Sequence, residues 1–148
     1  MRAWPEFNAA GDLPVGVHPA SLADVVAHFG RCSPRRLVLG RRLERVFSRV
    51  AQTGGLRRFI LFGSFVTAKP EPGDLDIFLI MEDSFDVSQV SGEARILFDH
   101  LAAQHYAGAS IFWLRRLAAF EGESAAVEHW QIKRDGSRRG IVEVIEHD

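Results

Sequence analysis

Three stretches of this chain are apolar almost end to end: Arg58–Phe62 (RFILF), Leu75–Met81 (LDIFLIM) and Ala109–Leu114 (ASIFWL). Short unbroken apolar runs rich in Ile, Leu and Phe mark strands buried on both faces. Between them the period changes. Leu39, Leu43, Val46, Phe47 and Val50 recur at helical spacing. Ser33-Pro34 supplies an N-cap and first-turn pair, and Gly54-Gly55 a stop, so a helix is expected from there to Thr53. A shorter helix is expected from Ser21, with Asp24 closing a weak capping box, to Gly30. A further one is expected over about Val90 to His105, and one or two short ones in RRLAAFEGESAAVEHW. Residues 1–20 have no period and read as an extended arm anchored by Trp4, Phe7 and Leu13. Pro72-Gly73 suits the centre of a type II turn, and Asp135-Gly136 signals a C-terminal β-hairpin. The pattern predicts an α/β (α+β) fold: one mixed β-sheet flanked by helices, in a single domain over 1–148. Within it lie the arm (1–20), a helical pair (21–54), and the sheet core with its hairpin (57–148).

Composition narrows the classes. With 148 residues, 47% hydrophobic, 25% charged and a formal net charge of −1, the chain has material for a real core and no global pull toward nucleic acid or membrane. The charge is unevenly spread. Arg31 to Arg58 holds nine arginines against one acid, Glu44, and Glu71 to Asp99 holds eight acids against one base, Arg95. A basic helix beside an acidic site is expected. Arg35, Arg42, Arg45 and Arg49 would form a surface for phosphates or an acidic partner, or simply a solvated helix face. The lone cysteine, Cys32, rules out an internal disulfide framework and fits a reducing cytoplasm. No apolar run is long enough to span a membrane, and Arg2, Glu6 and Asp12 interrupt any signal peptide.

The charge at the mouth of the Leu75–Met81 run raises the chemistry. Asp74 and Asp76 are two apart, which on a strand puts them on one face. Two such carboxylates repel, and either one takes up a proton or a cation neutralises both. Oxygen ligands of this kind suit Mg²⁺, which takes one or two carboxylates and completes its shell with water and substrate phosphates. Gly63-Ser64, ending the preceding strand, supplies the complement: glycine permits close backbone approach, and the amides and hydroxyl that follow can receive a phosphate. Lys69 lies in the loop between the two and can reach phosphates. The plainer reading has Asp76 solvated at a strand end and Asp74 finishing the Pro-Gly turn.

The ordered set FGSFVTAKPEPGDLDIFLIM resembles the signature of the minimal nucleotidyltransferase fold, the DNA polymerase β-like superfamily, in a small bacterial branch of it. Gly-Ser and Asp-x-Asp there are separated by a loop of about ten residues; here nine, Phe65–Gly73, intervene. The resemblance covers about twenty-five residues, Arg58 to Met81, and loosely the element order to Leu114. It implies a nucleotidyltransferase-like sheet and transfer of a nucleoside monophosphate from an NTP, with ATP the expected one, to a protein or RNA acceptor. Asp74 and Asp76 would hold Mg²⁺ (or Mn²⁺), and Gly63 and Ser64 the nucleotide phosphates. By analogy the partner would be a protein in a toxin–antitoxin or defence pair. Active members place a third carboxylate on a later strand. Ala109–Leu114 has none, which leaves Glu143, then Glu146, as its substitute. Without one, the alternative is a catalytically degenerate, antitoxin-like binding module; RNA binding without chemistry is a third. His100 and His105 are poorly spaced as ligands, and His18, His28, His129 and His147 form no zinc set. Phe112-Trp113 could stack a base or fill core. Lys133, Arg134, Arg138 and Arg139 around the Asp-Gly turn would grip phosphates or RNA, or form a solvated hairpin tip.

Overall fold

A computed structural model describes residues 3–146. Five strands form one mixed sheet: β1 (Val17–Ala20), β2 (Leu56–Phe62), β3 (Leu75–Met81), β4 (Ala109–Arg115) and β5 (Ile141–Val144), in the order β1-β5-β2-β3-β4. β2 runs antiparallel to both β3 and β5, while β1 is parallel to β5 and β4 to β3. A parallel neighbour needs a crossover. Between β3 and β4 it is built from α3 (Gly92–Leu97) and α4 (His100–Ala107).

The helices before the sheet start where the caps place them. Ser21 Oγ accepts from Asp24 N (3.1 Å) to open α1 (Leu22–Phe29), and Ser33 Oγ accepts from Arg36 N (3.1 Å) to open α2 (Pro34–Ala51). All five apolar stripe residues of α2 are buried in one cluster with Phe59, Leu61, Leu75, Ile77 and Leu79. At about 2 kcal/mol of transfer free energy per side chain, this layer fixes α2 on the sheet. The opposite face is covered more thinly. Ile60, Phe78, Ile80 and Ile141 pack there under Val127 of α5 (Glu123–Glu128) and Trp130 of the 3-10 turn His129–Gln131. Among the described residues no helix is long and apolar enough to cross a membrane.

Three expectations are corrected. The arm ends as a true strand, β1, with Trp4, Phe7 and Leu13 packed on the core as expected. Its Pro19 is tolerated because β1 is an edge strand. The helix expected over Val90–His105 breaks at Phe98-Asp99. There Phe98 turns in to meet Phe85 and Trp113, and Asp99 Oδ1 accepts from Ala102 N (3.0 Å) to cap α4. The C-terminal hairpin is reduced to its turn. Lys133 N donates to Ser137 O (2.7 Å) and Ile132 bridges Arg138, but the second run leaves to become β5. Between β1 and β2, Ile141 and Val142 are fully buried, which a free hairpin would not give them. His147 lies outside the described residues.

Candidate active site

β2 ends in Phe62 directly opposite Asp76 of β3. The next residue, Gly63, has φ +79° and ψ −164°, and a Cβ there would overlap the Asp76 carboxylate. Glycine is required on both counts. The chain then makes one 3-10 turn (Ser64–Val66) and a loop bonded at almost every residue. Ser64 Oγ accepts from Gly73 N (3.0 Å), and Ser64 O accepts from Thr67 Oγ1 (2.7 Å). Ala68 N donates to Gly11 O (2.8 Å). Beneath the loop lies Arg36, only 7% exposed. Its guanidinium donates to four main-chain carbonyls, those of Phe29 (3.0 Å), Phe65 (2.8 Å), Thr67 (2.7 Å) and Lys69 (2.6 Å). Each such carbonyl left without a donor would cost about 1–3 kcal/mol, so Arg36 sets the path of the loop that carries Ser64 and Lys69.

Gly63, Ser64, Lys69 and Asp76 line one cleft of about 630 Å³, whose other walls come from residues 129–139. Lys133, Arg134 and Arg139 bring positive charge, and Phe62 and Trp130 an aromatic side. The segment is latched to the N-terminal arm. Asp12, 4% exposed, accepts from Lys133 Nζ (3.1 Å) and pairs with Arg139 (3.7 Å), while Gln131 Oε1 accepts from Gly16 N (2.6 Å).

Asp76 itself is half-buried, and among the described residues no hydrogen bond or ion pair reaches its carboxylate. Burial pushes its carboxyl up to about 6; Asp74 adds to the rise, and Arg139 and Arg134 oppose it. A desolvated carboxylate without a partner either takes up a proton or accepts a cation.

The other two acids are elsewhere. β3 begins only at Leu75, so Asp74 is not held on the Asp76 face. It turns to α2, where Arg35 Nη2 (3.1 Å) and Arg42 Nη1 (3.6 Å) meet its Oδ1. Glu143 is on the Asp76 face of the sheet, but its row is Ile60 on β2, two residues from Phe62 and two strands from β3. That separates the backbones by roughly 12 Å. Arg58 then takes both Glu143 oxygens (2.7 and 2.9 Å). Glu143 therefore does not complete an acid cluster with Asp76, and Glu146 accepts from Leu22 N (3.3 Å) at the far end. Among the described residues no three His, Cys, Asp or Glu gather to hold a metal unaided.

This bears on Mg²⁺. Among the described residues, one cleft carboxylate without a partner beside two cations, Lys69 and Arg134, without an ion pair fits an ion that arrives already bound to phosphate oxygens, since Mg²⁺ needs only one or two protein carboxylates. Asp74 fits the ion only after leaving its arginines. Arg36, Asp12 and Trp130 carry no signal in the sequence pattern as parts of this site; they are visible only once the fold brings arm, loop and C-terminal segment together.

No curated protein and no solved structure matches the chain. A family model does, over residues 5–145, and by that match the chain belongs to the family of unknown function DUF6932.

Proposed function

We propose that the cleft binds a nucleoside triphosphate with Mg²⁺ (or Mn²⁺) and that the protein transfers the nucleoside monophosphate to a protein or RNA hydroxyl. The observation that carries the reading is a charge mismatch. Among the described residues, Asp76, pressed on Gly63, has no cation within ion-pair distance, and Lys69 and Arg134 in the same cleft have no carboxylate within it. A magnesium–triphosphate brings both missing signs at once. Lys69 and Arg134 take phosphate oxygens. Ser64 Oγ, already accepting from Gly73 N, has its proton free to donate. Asp76 holds the ion, which when bound neutralises charge on the transferring phosphate. The acceptor oxygen bonds to the α-phosphorus, pyrophosphate leaves, and the acceptor's proton passes to solvent at the cleft mouth. An NTP substrate and a single, exposed Cys32 suit the cytoplasm, and a protein acceptor suits a toxin–antitoxin or defence pair.

A second reading is favoured by one observation. With Glu143 on Arg58, Asp74 on Arg35 and Arg42, and Asp135 accepting from Ser137, Asp76 is the one acid of the cleft left without a partner among the described residues, where active members of the resembling fold use three. In that reading the protein is an antitoxin-like module that binds nucleotide without turnover.

Calorimetry with ATP, GTP, CTP and UTP, each with Mg²⁺ or Mn²⁺, tests the first step. At least one nucleotide binds the wild type, and Asp76→Asn removes that binding. No binding by any of the four ends both readings. Transfer of label from the α-phosphate to an acceptor separates the enzyme from the module.

A further inference from the structure

The sheet face that carries Asp76 is laid out in rows. Asp76 stands beside Ser110 of β4, and two residues further along Phe78 stands beside Phe112. Two residues of strand span roughly 7 Å, so a polar row and an aromatic row adjoin. Trp130 lies across the aromatic row. Its ring centroid is 4.5 Å from Phe62, 5.1 Å from Phe78 and 5.0 Å from Phe112, tilted by 33°, 34° and 32°. The three phenyl rings come from β2, β3 and β4 on one sheet face, so they support one side of the indole. The ring is half-buried, and with Phe62 it lines the cleft beside Gly63 and Asp76. Phe112 extends the surface outward at 39% exposure.

Covering the thin side of the sheet explains why an aromatic residue sits there. It does not explain why part of the indole stays exposed on the wall of a cleft that also carries Lys69 and Arg134. A flat apolar wall joined to a cationic one selects a ligand with an aromatic heterocycle and several negative charges. Resting on the triphosphate reading above, we infer that Trp130, backed by Phe62 and Phe112, is the platform on which the nucleobase stacks. The cleft is thereby a nucleotide site and not one for inorganic polyphosphate. Because three neighbours already hold the ring, stacking requires no side-chain ordering on binding. A base on an aromatic surface raises affinity by about tenfold.

The test compares ATP with inorganic tripolyphosphate, both with Mg²⁺. Wild type binds ATP about tenfold more tightly, and Trp130→Ala loses that difference while keeping its affinity for tripolyphosphate. Trp130 also packs on the sheet, so a second measurement spares the fold. ATP, but not tripolyphosphate, quenches the wild-type tryptophan fluorescence, and Trp130→Phe, which retains Trp4 and Trp113, loses the quench. Equal wild-type affinity for the two ligands overturns the platform while leaving the phosphate site standing. So does a quench that persists in Trp130→Phe. Failure of wild type to bind either ligand overturns the phosphate site and the platform together.

Discussion

Two regions of this protein are dense in positive charge, and they are built differently. On α2 the stripe of Arg35, Arg42, Arg45 and Arg49 is answered by acids from outside the helix. Arg35 and Arg42 hold Asp74, and Glu93 accepts from Arg45 (Nε to Oε1 and, at 2.9 Å, Nη2 to Oε2) and from Arg49 (3.1 Å). Those hydrogen bonds keep the Glu93 carboxyl down at about 2, Arg45 contributing most. Around the cleft, Asp12 holds Lys133 and Arg139 in place, but Arg134 and Lys69, which line the same cleft as Asp76, have no ion pair among the described residues. Counting arginines along the chain favours the helix as the binding surface. Asking which charges are answered inside the fold favours the cleft, because a surface whose charges already have partners gains little from a ligand.

The comparison breaks most visibly at Asp12. Removing a buried carboxylate that two cations share leaves both partly desolvated and frees the arm from the C-terminal segment. Asp12→Ala is expected to cost about 2–3 kcal/mol, the lower side of the range for breaking a buried pair because Lys133 and Arg139 can turn to water. Urea denaturation reads this directly, and a loss below about 0.5 kcal/mol would show that the latch is ornamental.

Asp76→Asn sharpens the contrast through pH. The folded-state value, about 6, lies above the ordinary 3.8, so the fold prefers the protonated acid. The stability this gives wild type is present below pH 4 and lost as the pH rises through 6. Asparagine cannot ionise and escapes the loss. The full displacement corresponds to about 3 kcal/mol, which partial exposure reduces to about 1–2. Asp76→Asn should therefore be the more stable protein at pH 7.5 and equal to wild type at pH 4 in thermal scans. Magnesium–ATP should then raise the melting temperature of wild type alone.

The smallest effects compare single cations. Arg134→Ala should weaken magnesium–tripolyphosphate binding about five- to tenfold at low salt, less at high salt. Arg45→Ala should leave it within about twofold. Equal losses from the two would erase the distinction between the regions.

What could be read from the chain follows from where each partner lies. β2, β3, β4 and the first two helices are legible because their signals are local: unbroken apolar runs, a helical stripe, and serine caps. β1 is not, since it is four residues long and pairs only with β5; the run that becomes β5 is legible as a strand, but its pairing with β1 and β2 is not. Gly63, Ser64, Lys69 and Asp76 do line one cleft. Pairing Asp74 with Asp76 assumed that the strand already runs at Asp74, whereas pleating begins one residue later and Asp74 is free to turn to α2. Asp12 and Lys133 are 121 residues apart, and no periodicity announces such a contact.

The overlap that any Cβ at Gly63 would make with the Asp76 carboxylate ties two letters of the sequence together. A relative that replaces this glycine must also shorten, move or discard the acid across from it, so the two positions should change as a couple. Inspecting only that couple in other members of the family offers a quick sorting rule: chains that keep both keep the acid on which the proposed chemistry depends, and chains that lose both lack it.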